Sequence, residues 1–314
     1  MVPTCLEQLF AAPSLAHFLE AYWPRKPAVA HGPVERLGTL ASLPELSTVM
    51  HLLDIYKDPV MVILPDERDE SSAIKVDARA ALKLYRNGMA LCFSSVDEFI
   101  PEVDRWLQSI RRELGLPSAT WARALIYAGG AGAGNRPHYD ANANIVVQLK
   151  GTKRWTLAEN TDVIDPTDRW TMSSPQLPAE LGTEGVSPPR QMPESAQVFD
   201  LSPGSVLLVP RGYWHSTEVG SEETLALNFT YSQPTWAEVL TAALLNRLHR
   251  TARFRGLADG LESPLPARQQ AAQAELFKAL ELFKTTVAAL TPSGLVAEIL
   301  GRAQCIDEGV PGAT

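Results

Sequence analysis

Cysteine is scarce: Cys5, Cys92 and Cys305 are the only three in 314 residues. An odd, widely spaced set has no CxxC pair and no disulfide framework, so a reducing cytoplasm is the expected compartment. No run approaches the roughly 18 consecutive apolar residues of a membrane-spanning helix. The opening MVPTCLEQLF has no positive n-region followed by an apolar h-region, so a secretory signal is not expected. Basic charge is in deficit, with 28 Lys and Arg against 36 Asp and Glu and a net charge of −8. That balance argues against a nucleic-acid partner, which needs a basic surface. GxSxG, P-loop and HExxH patterns are all missing. The 20 Gly and 24 Pro are scattered, which excludes collagen-like and low-complexity classes.

What is present divides into three textures. Residues 1–115 read as mostly helical with breaks. LEQLFAAPSLAHFLEAYWPRKP keeps helical spacing until Pro24. SLPELSTVMHLLDIYK predicts a second helix capped by Ser42 or Ser47, and DPVMVILPD a short strand. SSVDEFIPEVDRWLQSIRREL predicts an amphipathic helix opened by a Ser95–Glu98 capping box. Between about 119 and 235 the pattern changes. ARALIYA, NIVVQLK, KRWTLAE, AQVFDL, SVLLVP and TLALNFTYS are short, β-branched or aromatic, and separated by turn residues. This predicts an antiparallel all-β unit, a barrel or double-stranded jelly roll. Residues 160–193 form a long Pro-rich polar insert, of the kind that serves as a lid or binding loop. AGGAGAG (128–134) precedes a strand rather than a helix, so it predicts a flexible loop at the barrel mouth and not a phosphate cradle. Residues 236–314 return to long Ala/Leu-rich helices with broad apolar stripes. These are a candidate homodimer element appended to a 1–235 catalytic domain.

Two of the six histidines sit in the β-region. His138 and Asp140 are two apart, so on an extended strand both side chains point to one face. They supply two corners of a metal site. His215, read as the end of the strand that Pro203-Gly204 opens, supplies the third. Two His and one carboxylate on one side of an iron leave three positions open, enough for a bidentate 2-oxo acid and dioxygen. By parity Lys153 and Trp155 share one face of their strand while Arg154 faces away. An inward Lys153 would be a buried charge that a bound dicarboxylate relieves. Asn228 interrupts an apolar strand, which fits either a satisfied buried amide or a residue orienting a ligand. Arg169 and Trp170 in the insert are candidates to cover a substrate. His17, His31, His51 and His249 lack carboxylates at metal spacing and read as structural or solvent-facing.

HYDANANIVVQLKGTKRWTL together with PGSVLLVPRGYWHSTEVGSEETLALNFTY closely resembles the JmjC-type cupin oxygenases, nearest to the factor-inhibiting-HIF-like hydroxylases. The likeness covers about residues 120–235, and LAHFLEAYWPRKPAVAHGP resembles the usual entry segment of that family. The resemblance implies a mainly β core with helical flanks: a double-stranded β-helix (cupin) with an N-terminal α/β segment and C-terminal helices. It implies Fe(II) on His138, Asp140 and His215. It also implies a 2-oxoglutarate co-substrate whose distal carboxylate pairs with Lys153. Asn144 and Asn228 match polar positions near iron and co-substrate. Asn135 stands where the family often has Thr, and either Tyr127 or Tyr85 matches an upstream co-substrate tyrosine.

The activity so implied is hydroxylation of an unactivated C–H bond of a protein or peptide side chain, with conversion of 2-oxoglutarate and O2 to succinate and CO2. Hydroxylation of a small molecule or peptide natural product is the alternative within the class. A non-catalytic cupin binding or sensor protein is the alternative outside it. A cupin enzyme independent of 2-oxoglutarate would present extra His ligands in place of Asp140 and have no use for Lys153.

Overall fold

A computed structural model describes residues 3–64, 72–118, 120–130, 132–177, 189–220 and 222–296. Cys305 lies outside them. The chain divides into two compact units, Met1–Leu116 with Thr120–Gln233, and Pro117–Ala119 with Pro234–Thr314.

The first unit is built on two antiparallel sheets. Its strands are β1 (Ala28–Ala30), β2 (Val60–Ile63), β3 (Ala73–Val76), β4 (Leu91–Phe93), β5 (Trp121–Gly129), β6 (Gly134–Tyr139) and β7 (Ala143–Lys150). They continue with β8 (Lys153–Ala158), β9 (Trp170–Thr171), β10 (Gln197–Leu201), β11 (Val206–Val209), β12 (Trp214–Val219) and β13 (Thr224–Ser232). The larger sheet has the order β1-β11-β7-β13-β5-β4-β2-β3, and the smaller β10-β8-β12-β6-β9. This is the double-stranded β-helix expected from the sequence.

Alternation along the strands sorts side chains between two cores. Ile145, Val147, Leu227 and Phe229 join helical residues such as Leu6, Phe18, Leu52 and Leu107 in the main core. Their neighbours Val146 and Ala226 join Trp155, Leu157, Leu201 and Leu207 between the sheets. The central strands therefore bury both faces, and they read as unbroken apolar runs instead of alternating ones.

The helices of this unit are α1 (Cys5–Phe10), α2 (Leu15–Ala21), α3 (Thr39–Ser42), α4 (Val49–Ile55), α5 (Ala78–Arg86) and α6 (Pro101–Glu113). Several local expectations are corrected. The first helical run is two helices, because Ala11 turns left-handed (φ 49°) and Ser14 caps a new start. Thr48, not Ser42 or Ser47, caps α4 by accepting from the His51 N–H. Ser95 makes no cap: it sits at φ 53°, and α6 starts at Pro101 after a short 3₁₀ turn. The strand expected over DPVMVILPD is β2, but the N-terminal third adds three strands that were not expected, β1, β3 and β4; β4, β2 and β3 extend the larger sheet past β5.

The second unit contains α7 (Trp236–His249) and α8 (Pro266–Ala288), which touch each other. Thr235 and Glu238 form a capping box at the start of α7. Leu240, Leu245, Leu276, Phe277 and Leu280 remain exposed on these helices. Among the described residues, no helix is long and apolar enough to cross a membrane.

Candidate metal centre

The smaller sheet brings the two histidines together. β6 and β12 are antiparallel neighbours, and His138 is the register partner of His215. The pairing shifts between His215 and Thr217, a bulge that changes which way the strand presents its side chains. His215 stands at the start of β12, after a Pro210–Tyr213 turn, and not at the end of the preceding strand as expected. The reason is local: β11 ends at Val209, Gly212 adopts φ 81°, and the chain reverses before Trp214. Asp140 follows the last residue of β6, and its backbone carbonyl accepts from the Gly212 N–H at 2.9 Å. The turn before His215 is thus tied directly to the carboxylate residue.

The donor atoms of His138, Asp140 and His215 all lie within 4.8 Å of one another. Asp140 Oδ2 is 3.7 Å from His215 Nε2, and the two imidazole centroids are 4.1 Å apart. Both rings are oriented the same way. His138 Nδ1–H donates to the Arg136 carbonyl at 2.7 Å, and His215 Nδ1–H to the Tyr213 carbonyl at 2.9 Å. A carbonyl can only accept, so each Nδ1 carries a proton and Nε2 is the ring atom left to face a metal. Both histidines are buried. Burial, reinforced by the neighbouring His138, pushes His215 down to about 4, so it stays neutral at physiological pH. Two imidazoles and one carboxylate converging in this way form the donor set of a facial metal site.

Asp140 is held from behind. Asn144 Nδ2 donates to its Oδ2 at 3.2 Å. Asn144 Oδ1 in turn accepts from Asn228 Nδ2 at 3.1 Å and from Thr230 Oγ1 at 2.8 Å. This buried chain runs from β7 and β13 to the carboxylate. Among the described residues, Asn228 Oδ1 has no hydrogen-bond partner. Thr230 is a site residue that the motif reading missed, although it is two residues from Asn228 on one strand and therefore shares its face. Arg169 Nε lies 4.0 Å from Asp140 Oδ1, the carboxylate oxygen that Asn144 does not contact.

A second group lies on the wall of one cavity: Lys153, Tyr127, Asn135 and Thr217. Lys153 Nζ sits 5.9 Å from the Tyr127 ring and 5.3 Å from the Trp155 ring. Loss of water around the ammonium brings Lys153 down to about 8. Trp155 also stacks on His215 (centroids 5.9 Å, planes 22° apart). Burial holds the Tyr127 phenol far above its usual range, so it remains a hydrogen-bond donor. The Asn135 N–H donates to Thr217 Oγ1 at 3.0 Å. Tyr85 lies elsewhere, on a smaller pocket with Glu223, where burial and that carboxylate push it up to about 12.

The insert and the glycine run differ from expectation. Trp170 does not cover a substrate: it is buried with Tyr139, Trp214 and Met172. Its strand β9 pairs with β6 beside His138, and Trp170 Nε1 donates to the Gln176 carbonyl. Arg211, in the turn before His215, donates to the Pro166 carbonyl at 2.6 Å. The described part of the insert is therefore clamped to both ligand-bearing segments. The described residues of the AGGAGAG run are also fixed, since Val219 N–H donates to Ala133 O at 2.7 Å. Gly134 is required there, because a Cβ would lie 2.1 Å from the Thr217 carbonyl oxygen.

Fold and site together define a double-stranded β-helix with a His-x-Asp…His donor set. The family model described as "JmjC domain" matches residues 98–239. The uncharacterized protein YxbC of Bacillus subtilis (strain 168) is 36% identical over 294 residues, covering 91% of this chain and 88% of that protein. The chain belongs to the JmjC-domain family of cupin-like proteins. Ribosomal oxygenase 1 of Rattus norvegicus is 29% identical over 169 residues, 52% of this chain but only 26% of that protein. The X-ray structure of Escherichia coli ycfD has 17% identity and a TM-score of 0.50, covering 88% of this chain and 71% of that one. That likeness concerns the fold.

Proposed function

We propose that the protein is an Fe(II)- and 2-oxoglutarate-dependent oxygenase that hydroxylates an unactivated C–H bond of a protein or peptide side chain. One observation carries the reading: two Nδ1-anchored imidazoles and one carboxylate converge within 4.8 Å beside a cavity walled by a buried-stem lysine. Membership of the JmjC-domain family and the similarity to ribosomal oxygenase 1 support it, and the latter favours a protein substrate.

His138, Asp140 and His215 would hold the iron through Nε2 and carboxylate atoms. When bound, the iron and the oxo-acid supply the oxidising chemistry: 2-oxoglutarate and O2 yield succinate and CO2 while one oxygen atom enters the substrate C–H bond. Lys153 would bind the distal carboxylate of 2-oxoglutarate, with Tyr127 and Asn135 on the same wall. Asn144 orients Asp140, and Asn228 and Thr230 orient Asn144. Trp155 and the apolar residues between the sheets exclude water from the co-substrate side. Residues 1–235 form the catalytic domain in this reading. The exposed apolar residues of α7 and α8 would pair two copies of the chain, so scattering should report a dimer that Phe277→Glu converts to monomer.

The test is anaerobic titration with Fe(II) and 2-oxoglutarate. A weak visible charge-transfer band that needs both additions and is lost in His138→Ala is expected. No band, with no iron retained, would overturn the reading and favour a non-catalytic binding protein.

A further inference from the structure

Trp155 carries a buried hydrogen-bond donor with nothing to receive it. The residue is only 8% exposed, and among the described residues its Nε1–H has no hydrogen-bond partner. A buried donor left unpaired is costly, and native interiors pair nearly all of them. The indole packs between the sheets with Val146, Leu207 and Ala226, whose side chains offer no acceptor. Its two polar neighbours do not supply one either. The Lys153 ammonium, 5.3 Å from the ring, has donors only. The His215 imidazole lies nearly parallel to the indole, with 22° between the planes, so an N–H in the indole plane runs alongside that ring and not into it. His215 Nδ1 is in any case committed to the Tyr213 carbonyl. Strand parity thus sets an ammonium and an indole N–H on one face of β8, and neither can receive what the other gives.

Resting on the 2-oxo acid reading above, we propose that the Trp155 Nε1–H is a second donor to the distal carboxylate of the co-substrate, beside Lys153. An ionised carboxylate accepts only and has two oxygens, so one takes the ammonium and the other the indole N–H. Stacking on His215 holds the ring that offers the donor, so little ordering of the indole is left to be done when the acid arrives. Trp155 is in this sense a positioning residue for the acid. A 2-oxo acid without the distal carboxylate leaves the N–H as it stands in the empty site.

The experiment uses the full chain loaded with Zn(II), which is diamagnetic, with isotopic nitrogen in its seven tryptophans. It is titrated with 2-oxoglutarate or with 2-oxopentanoate, which lacks the distal carboxylate. The indole resonance missing from Trp155→Phe is that of Trp155. Its proton should move downfield with 2-oxoglutarate and not with 2-oxopentanoate. In calorimetry Trp155→Phe, which keeps an aromatic ring and deletes the N–H, should weaken 2-oxoglutarate by about tenfold and 2-oxopentanoate by less than about twofold. Zn(II) affinity by chelator competition should stay within about threefold. If Trp155→Phe does not fold, the wild-type resonance, assigned through its contacts with His215, decides the matter. A Trp155 resonance that 2-oxoglutarate binding does not move overturns the proposal and leaves the reading of the site standing. An equal loss of both acids in the variant also overturns it, since Trp155 would then act by packing on His215. If Zn(II) binds and neither acid does, the reading of the site falls, and the proposal with it.

Discussion

Lys153 lies on the same strand face as Trp155, its ammonium 5.3 Å from the indole ring, and that indole stacks on His215. A desolvated cation and a metal-donor histidine thereby share contact with one indole. Without an anion this arrangement is costly, and the depressed lysine reports it: in the folded chain Lys153 gives up its proton near 8 instead of 10.5.

The sign of that shift makes a prediction. Between about pH 8 and 10.5 the unfolded chain binds more protons than the folded one, so stability rises with pH in that window. Below 8 the full penalty persists. Lys153→Met should therefore stabilise the empty protein at pH 7 by about 1 kcal/mol, read from urea unfolding. The same change should weaken 2-oxoglutarate binding by roughly 10–100-fold while leaving metal affinity within about threefold. A parallel loss of metal would show that Lys153 supports the histidines instead of the acid.

The histidine pair predicts acid sensitivity of the empty site. His215 titrates near 6.5 when unfolded and near 4 when folded. Its contribution is fully present above pH 6.5 and is lost as pH falls toward 4. The metal-free protein should lose urea resistance progressively across that window. His215→Asn, which cannot take up the proton, should flatten the loss. An unchanged slope in the variant would assign the acid transition to other groups.

Asn144 is placed to act on the metal through Asp140. Asn144→Ala removes the donor to the carboxylate and strands Asn228 and Thr230, which both give hydrogen bonds to it. The expected cost is about 1–3 kcal/mol of stability and roughly 10–100-fold in metal affinity, measured by chelator competition. Asn144→Asp adds a like charge next to Asp140 and should weaken folding further at neutral pH. Wild-type metal affinity in Asn144→Ala would confine its role to packing.

Much of this site was legible in the chain because its chemistry is written in strict order. The His138-x-Asp140 spacing needs only the two-residue period of a strand, and the same parity aligned Lys153 with Trp155. The parts not foreseen depend on tertiary contacts. The His215 turn reverses at Gly212, and a Gly in a run of apolar and aromatic residues does not announce a strand boundary by itself. Trp170 looked like a lid residue because its surroundings are polar, yet it packs on Tyr139 and Trp214 from distant segments. β2 was expected over DPVMVILPD, but the short strands β1, β3 and β4 have too few residues for a period to emerge, and only pairing with the larger sheet defines them. The link from Asn144 to Asp140 joins residues four apart across a turn, a separation with no strand periodicity.

The two upstream tyrosines give a prediction that separates equal candidates from the sequence. Tyr127 shares a cavity wall with Lys153 and Asn135, whereas Tyr85 shares the smaller pocket with Glu223. Both phenols are held protonated by burial, so ionisation does not distinguish them; position does. Tyr127→Phe keeps the ring and deletes only the hydroxyl. It should weaken 2-oxoglutarate binding by about 5–10-fold, the loss of one hydrogen bond to a charged acceptor partly offset by water. Tyr85→Phe should leave that affinity within about twofold and lower stability by no more than about 1 kcal/mol. Calorimetry on the two variants side by side decides the matter. A selective loss in Tyr85→Phe would mean that the co-substrate reaches the Glu223 pocket, and that Lys153 serves some other anion.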